Sequence, residues 1–188
     1  MQKKLQELAA TFETMVANAQ SPTESWRNIA LARRAFELMK QLPDTLAGEY
    51  ESPAEKAGLL AQMLEQTDET LTPRFSLSVR EYMAALNPAD DDNRSEMTRL
   101  RDFIDPQLPM EEYCKRYGRM LRFDPVERTA EWEAVVEAVE EEVSRELEGE
   151  PWHMGYCYRY WSAKRDALAR RGIEWRSPSA MNPGVMFD

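Results

Sequence analysis

Residues 125–148 read PVERTAEWEAVVEAVEEEVSRELE, and their pattern decides the fold class. The apolar side chains recur three and four positions apart, which places them on one face of an α-helix. Similar stripes recur along the chain, and no convincing alternation of apolar and polar residues indicates a strand. The sequence therefore predicts an all-α protein, a bundle of about seven to eight helices. The stripe that carries this prediction consists of Trp132, Val136, Val139, Val143 and Leu147.

Local signals also predict where the helices begin. Ser21, Ser52 and Asp124 each precede a proline, and a glutamate follows each of them three residues later. The cap oxygen accepts a free backbone N–H, while proline loses no hydrogen bond at the first helical position. The glutamate then returns a bond to the cap residue. The predicted helices cover residues 2–19, 22–41, 53–67, 73–86, 94–104, 109–121, 125–148 and 151–171.

One polar residue interrupts the apolar stripe of the second predicted helix. Trp26, Ile29 and Phe36 recur at helical spacing, but the position between Ile29 and Phe36 on this face holds Arg33. Arg33 is therefore the exception on an otherwise apolar face. The fourth predicted helix has a stripe of Phe75, Val79, Tyr82 or Met83, and Leu86.

The chain is expected to form a single helical domain over residues 1–188. Its 188 residues are 43% hydrophobic, which is enough to bury a sizeable core. Residues 87–93 contain a proline and an acidic run, and they are the best candidate for a linker between two lobes. A turn inside one bundle is the preferred interpretation, because each half is short for several independently stable helices.

The last segment, residues 172–188, differs from the helices before it. Pro178 and Pro183 limit any helix there to about one turn. Its apolar residues are too numerous for a solvated tail, so we expect an extended segment packed on the bundle of its own chain. The alternative is docking on another subunit or a partner. The apolar residues are Ile173, Trp175, Met181, Val185, Met186 and Phe187.

Tryptophan-rich sequence marks roughly the last sixth of the chain. It reads from Tyr160-Trp161 through GIEWRSP at residues 172–178 to the closing Phe187-Asp188. This stretch resembles the ends of small uncharacterised bacterial proteins. The resemblance implies a bacterial source and carries no activity with it.

Charge excludes some partners. The net charge of −10 argues against binding to a nucleic-acid backbone and against docking on anionic lipid. No apolar core of a signal peptide follows Lys3 and Lys4, and no stretch of about 18 apolar residues could span a membrane. The expected location is the cytoplasm, where both cysteines would be free thiols.

The acidic charge is concentrated in one region. Residues 123–150 hold eleven acidic and two basic residues, whereas residues 151–188 hold six basic and three acidic ones. Two consecutive helices with opposite charges facing each other explain this segregation. The run Glu140, Glu141 and Glu142 is expected to be mostly a solvated face. Its functional alternative is an acidic strip that recruits a basic protein.

A repeated pentad is the most specific motif. Tyr-Cys-Lys-Arg-Tyr at residues 113–117 recurs as Tyr-Cys-Tyr-Arg-Tyr at residues 156–160. On a helix the two tyrosines share a face with the arginine between them, and arginine can stack on rings or bind a carboxylate or phosphate. The competing interpretation is chance repetition with ordinary aromatic packing. The candidate ligand-binding residues are Tyr113, Arg116, Tyr117, Tyr156, Arg159, Tyr160 and Trp161.

A metal site is the less favoured use of the same region. His153 and Cys157 are four residues apart, so a helix would place them on one side, and Cys114 could complete a Cys2His set for zinc. The close cysteine spacing of strong zinc motifs is missing, and cysteine is a common buried residue. We therefore expect no cofactor. Neither phosphate-binding glycine loops nor a hydrolase nucleophile motif occurs.

These observations favour a non-enzymatic interaction protein, an adaptor or chaperone-like binder that takes a protein partner or self-associates. Acidic charge and eleven methionines, which can line adaptable surfaces, support this expectation. Two other classes stay open. One is an enzyme or small-ligand binder with a pocket at His153, Cys157, Cys114 and the tyrosine–arginine pairs. The other is a self-assembling structural element.

Overall fold

The protein is all-α in the computed structural model, which describes residues 1–21, 23–151 and 153–187. Within those ranges the only extended pairing is an isolated bridge between Leu46 and Tyr50. Two short 3-10 helices, Ser25–Arg27 and Pro125–Arg128, precede α2 and α7. The α-helices are α1 (Gln2–Ala19), α2 (Asn28–Lys40), α3 (Pro53–Glu65), α4 (Pro73–Leu86), α5 (Asp91–Ile104), α6 (Met110–Arg116), α7 (Ala130–Glu146), α8 (Tyr156–Ala169) and α9 (Pro178–Met181).

The predicted bounds hold best where a helix depends on local sequence alone. Both α1 and α4 span the residues that the apolar spacing predicts. Ser52 caps α3 by accepting the Glu55 N–H, and Asp124 and Glu127 form the expected capping box. Thr72 precedes Pro73 at the start of α4, but its side chain makes no capping hydrogen bond. No helix of the described residues is long and apolar enough to cross a membrane.

Three predicted helices are too long. The segment 125–148 divides at Thr129, whose extended backbone ends the 3-10 turn and whose hydroxyl accepts the Trp132 N–H to start α7. The helix expected from residue 151 begins only at Tyr156, after Gly155 adopts a left-handed φ of 86°. The one expected over 109–121 ends at Arg116, and a second left-handed residue, Gly118, follows closely.

The second predicted helix also starts late. A turn and a 3-10 helix come before α2, which begins at Asn28 rather than near residue 22. Pro22, which carries the expected start, lies outside the described residues, and so does Trp152 in the predicted stripe of α8.

The chain consists of two compact units, Met1–Arg101 (unit 1) and Asp102–Asp188 (unit 2). The division falls inside α5 and not at residues 87–93. Residues 87–90 connect α4 to α5, and residues 91–93 already lie in α5. The Asn87 N–H donates to the Met83 carbonyl, and the Asn93 N–H donates to the Asp90 carboxylate.

An apolar core in unit 1 is formed by residues of α1 to α4. Asn28 is fully buried within this unit, and its amide donates to the carbonyls of Met15 and Gln66. A polar side chain in that position is tolerated because its donors are satisfied. The most deeply buried apolar residues include Met15, Ala32, Met39, Leu60, Met63 and Val79.

Unit 2 packs α7 directly on α8, and the C-terminal segment covers part of it. This segment, residues 172–187, is called the strap below. It begins at Gly172, whose left-handed φ of 77° ends α8, and it buries Trp175 and Met181 in its own unit. Ser177 caps the single turn of α9 that the prolines allow.

Candidate functional site

The first pentad lies in an aromatic cluster, and its Arg116 and Tyr117 side chains are paired with carboxylates. Tyr113 is buried, and its ring packs edge to face against Phe103 and Phe123. The Tyr117 hydroxyl and the Arg116 guanidinium both donate to Asp102, each at 2.6 Å. The hydrogen bond from Tyr117 and the charge of Arg116 lower the pKa of Asp102. Arg116 thus binds a carboxylate of its own chain, together with Glu112 at 2.8 Å.

The second pentad begins α8 and divides between surface and interior. Arg159 is more than half exposed and pairs with Glu150 at 2.7 Å. Tyr156 is buried with His153 beside its ring, whereas Tyr160 turns its hydroxyl to Glu140 at 2.6–2.7 Å. Trp161 is half-buried and contacts the rings of Tyr158 and Phe187. The two arginines therefore each engage separate carboxylates.

The metal candidates lie in three different surroundings. Cys114 belongs to the aromatic cluster of unit 2, His153 is exposed with Nδ1 at 2.8 Å from the Met154 carbonyl, and Cys157 is a half-buried free thiol. In the part of the chain that the structure describes, no group of three or more His, Cys, Asp or Glu side chains could hold a metal ion. The Cys2His set is consequently not assembled.

A buried lysine forms a compact polar centre in unit 2. Lys164 donates to Glu140 at 2.5 Å and to the Tyr160 hydroxyl at 3.2 Å. Its ammonium also lies 5.1 Å from the ring centroid of Trp132 and 5.7 Å from that of Trp175. Cations are attracted to ring faces at such distances. We call Glu140, Tyr160 and Lys164 the Lys164 centre.

The burial of Glu140 corrects the sequence-based expectation. Its side chain is only 4% exposed, whereas Glu141 is exposed and Glu142 pairs with Arg170 and Arg171. The run is thus not uniformly solvated. The expectation that opposite charges of the two helices face each other is confirmed by these ion pairs.

Both proton-bearing groups of the Lys164 centre are held in their ordinary protonation states. Burial disfavours the ammonium of Lys164, but its interactions with Tyr160 and Glu140 prevail and raise its pKa. For the Tyr160 phenol, burial acts in the other direction and raises the pKa above its usual range. At neutral pH the amine stays charged and the phenol stays protonated, so neither is poised as a nucleophile or a base.

Unit 1 contains a groove of a different character between α2 and α4. Its volume is about 540 Å³, and its floor is aromatic. The Phe36 ring meets the edges of Phe75 and Tyr82 with centroids 6.0 and 5.6 Å apart. We call this cavity the α2–α4 groove. It is lined by Arg33, Phe36, Glu37, Lys40, Phe75, Ser78 and Tyr82.

Two cations lie over the aromatic floor of this groove. The Arg33 guanidinium is 5.9 Å from the Phe75 centroid, and the Lys40 ammonium is 4.8 Å from the Phe36 centroid. Arg33 is the residue that interrupts the apolar stripe of α2, and its place over a ring explains that exception. Glu37 holds Lys40 at 2.6 Å.

Sequence reasoning missed both of these arrangements. Lys164 follows Tyr160 by four residues, and Glu140 follows Val136 by four, so each shares a helix face with buried neighbours. For Lys164 and for Glu140, the signal in the sequence was a charged residue on a helix face that is otherwise buried. For the groove, the signal was Arg33.

Comparison of the chain with protein-family models, with curated proteins and with solved structures finds no match. The function is therefore inferred from the chain's own residues.

Proposed function

We propose that the chain is a non-enzymatic protein-interaction protein that binds its partner in the α2–α4 groove. The observation that carries this proposal is the combination of an aromatic floor with Arg33 and Lys40 above it. Aromatic and arginine side chains dominate binding energy at protein interfaces. A cytoplasmic location agrees with the two free thiols.

The partner that fits this groove is an acidic segment with one aromatic or large aliphatic side chain. The apolar side chain would lie against Phe36 and Tyr82, and neighbouring carboxylates would meet Arg33 and Lys40. Opposite charges across an interface determine which partner is accepted more than they add affinity. A basic segment is disfavoured at the rim and would retain only the apolar contact.

The state of the Lys164 centre supports the non-enzymatic half of the proposal. Its amine, phenol and carboxylate satisfy one another inside the unit. The arginines of both pentads are likewise bound to carboxylates of the same chain. These groups therefore bind one another within the chain.

The test is an NMR titration of the full chain with two synthetic peptides, one with four glutamates around a phenylalanine and one with lysines instead. We expect only the acidic peptide to shift amides of α2 and α4. The double variant R33A/K40A should weaken its binding by about tenfold, because two charge contacts are lost.

Arg34 provides the matched control. It neighbours Arg33 in sequence, is exposed, and pairs with Glu7 rather than lining the groove. R34A should leave the affinity unchanged. Equal weakening by R34A, or shifts confined to other helices, would contradict the proposal.

A further inference from the structure

Two residues with hydroxyl groups line the α2–α4 groove, and they differ in where their protons go. The Ser78 hydroxyl donates to the Phe75 carbonyl at 2.7 Å, so its proton is used within α4. The Tyr82 hydroxyl instead accepts a hydrogen bond from Lys56 at 3.1 Å. Among the residues that the structure describes, none accepts a hydrogen bond from Tyr82 in return. The phenol proton of Tyr82 is therefore left for water or for a bound partner.

Lys56 fixes the direction of its hydrogen bond with Tyr82. An ammonium group carries three donors and no acceptor, so the phenol oxygen can only accept from it. Lys56 is fully buried, and it also donates to the Leu42 carbonyl at 2.8 Å and to Asp44 at 2.9 Å. Burial disfavours the charge of Lys56, but its hydrogen bonds to Tyr82 and Asp44 prevail and raise its pKa. Lys56 thus stays charged at neutral pH, and Tyr82 keeps its own proton to donate elsewhere.

The Lys164 centre shows what completes such a group. There Tyr160 also accepts from a buried ammonium, and it donates its proton to Glu140 at 2.6–2.7 Å. Lys56 and Tyr82 repeat the first half of this arrangement. The carboxylate beside them, Asp44, accepts from the ammonium and not from the phenol. In the described part of unit 1, the acceptor that Glu140 provides in unit 2 has no counterpart at Tyr82.

We infer that Tyr82 is a specificity-determining residue of the α2–α4 groove, which donates its phenol proton to a carboxylate of the bound segment. This inference rests on the proposed function, because the carboxylate belongs to the acidic partner. A hydrogen bond to an ionised oxygen is roughly twice as strong as one between neutral groups. The charge of Lys56 favours an anionic acceptor further, since hydrogen bonds in a chain polarise one another. Tyr82 therefore selects glutamate over glutamine in the partner.

Tyr82 also determines where in the partner this carboxylate lies. Its ring meets Phe36 edge to face on the floor of the groove, with the centroids 5.6 Å apart. A tyrosine side chain combines an apolar ring with a polar end, so one residue can make both kinds of contact. The apolar side chain of the partner packs on the ring, and the carboxylate next to it in sequence meets the hydroxyl.

The test compares Y82F with the unchanged full-length chain in NMR titrations with two peptides. One is the peptide with four glutamates around a phenylalanine, and the other has glutamines in place of the glutamates. We expect Y82F to weaken binding of the acidic peptide by about tenfold and of the glutamine peptide by at most about threefold, because a neutral amide gains less from the phenol proton. A loosened groove would instead weaken both peptides by the same factor, and that result would overturn the inference.

Y50F is the matched control, because it makes the same chemical change elsewhere in unit 1. Tyr50 does not line the groove, and its hydroxyl already donates to the Pro43 carbonyl at 2.7 Å. Y50F should leave the affinity for both peptides unchanged. If Y82F also leaves it unchanged while R33A/K40A weakens it, the inference fails and the proposed function stands. Failure of the acidic peptide to bind the unchanged chain would overturn both.

A measurement on the unchanged chain covers the case in which Y82F does not fold. The ¹³C chemical shift of tyrosine Cζ responds to hydrogen bonding at the phenol oxygen. We expect the Tyr82 signal to move when the acidic peptide binds and to move less with the glutamine peptide, while the Tyr50 signal stays in place. Amide shifts in α2 and α4 without any movement of the Tyr82 signal would overturn the inference and leave the proposed function intact.

Discussion

Lys56 in unit 1 and Lys164 in unit 2 are both buried, and both donate to a tyrosine hydroxyl and a carboxylate. Lys56 reaches Tyr82 at 3.1 Å, Asp44 at 2.9 Å and the Leu42 carbonyl at 2.8 Å. The carboxylates differ: Asp44 is 59% exposed, whereas Glu140 is 4% exposed. The same three chemical groups, an amine, a phenol and a carboxylate, thus lie at a solvent-exposed edge in unit 1 and in the buried interior of unit 2.

This difference in carboxylate exposure determines how much each charge pair contributes to stability. Water screens the exposed carboxylate of Asp44. If Asp44 were removed, Lys56 would still donate hydrogen bonds to the Leu42 carbonyl and the Tyr82 hydroxyl. Lys164 donates its hydrogen bonds to Glu140 and Tyr160, and both acceptors belong to the same closed centre. Removing one member of a buried pair leaves an uncompensated charge, which costs far more than losing an exposed partner.

The largest effect is expected for E140A. It should lower the free energy of unfolding of unit 2 by about 3–5 kcal/mol, because the Lys164 ammonium loses its carboxylate in the interior. Urea unfolding followed by tryptophan fluorescence reports mainly on this unit, because four of the five tryptophans belong to it and only Trp26 belongs to unit 1. The control E141A removes an exposed carboxylate on the next residue and should change little. Equal losses in the two variants would contradict the dry placement of Glu140.

A double substitution separates burial of charge from packing. K164M/E140L replaces the ion pair with apolar groups of similar length, and we expect it to recover most of the loss of E140A. Replacing a buried ion pair by well-packed apolar residues of similar volume is often neutral or stabilising, by roughly 1–4 kcal/mol. A double variant as unstable as E140A in the same urea measurement would show that the pair itself, with its geometry, supports the unit.

W175A tests the rings around Lys164. Trp175 is buried, so its loss should lower the unfolding free energy by roughly 3–5 kcal/mol. Trp161 is half-buried, and W161A should cost only about 1–2 kcal/mol. Thermal unfolding followed by circular dichroism compares the two. A larger loss for W161A would place the main aromatic support of unit 2 at the surface.

In unit 1, D44A is the counterpart of E140A. It should lower the free energy of unfolding by only about 0–1 kcal/mol, because the carboxylate that it removes is exposed. Amide hydrogen exchange of α3 and α4 measures this loss without interference from unit 2. A loss as large as that of E140A would mean that exposure of the carboxylate does not decide its contribution.

The smallest effect concerns Asp102, which forms a carboxylate–tyrosine–arginine group in unit 2 but is partly exposed. Its pKa is lowered on folding, so it stabilises the unit above the pKa of an unfolded aspartate, about 3.9, and this contribution is lost as pH falls through the lowered value. D102N should therefore be less stable than the unchanged chain at pH 7 and converge with it in acid. A difference independent of pH would contradict this assignment.

The accuracy of the sequence-based predictions follows the range of the interactions involved. Both α1 and α4 could be placed because spacing and caps are local. The break at Thr129 was also readable in principle, since its hydroxyl caps α7 three residues on. Glu140 was misjudged because its burial depends on Tyr160 and Lys164, which are 20 and 24 residues away.

The pentads show the same limit. The motif does recur in the sequence. Its two arginines, however, form ion pairs with Asp102 and Glu150, which lie outside the pentads. Arg33 was the better signal, because a cation on an apolar stripe needs a reason in the tertiary structure. The Phe75 ring that provides it belongs to another helix.

The sequence by itself determined the all-α class, most helix positions and the apolar character of the strap, because these follow from side-chain spacing and backbone capping within a few residues. Only the tertiary structure decided which charged side chains are buried, which aromatic rings line a groove and where the strap is anchored. Those properties depend on neighbours that are distant along the chain, and solvent exposure is a property of the packed helices rather than of any single segment.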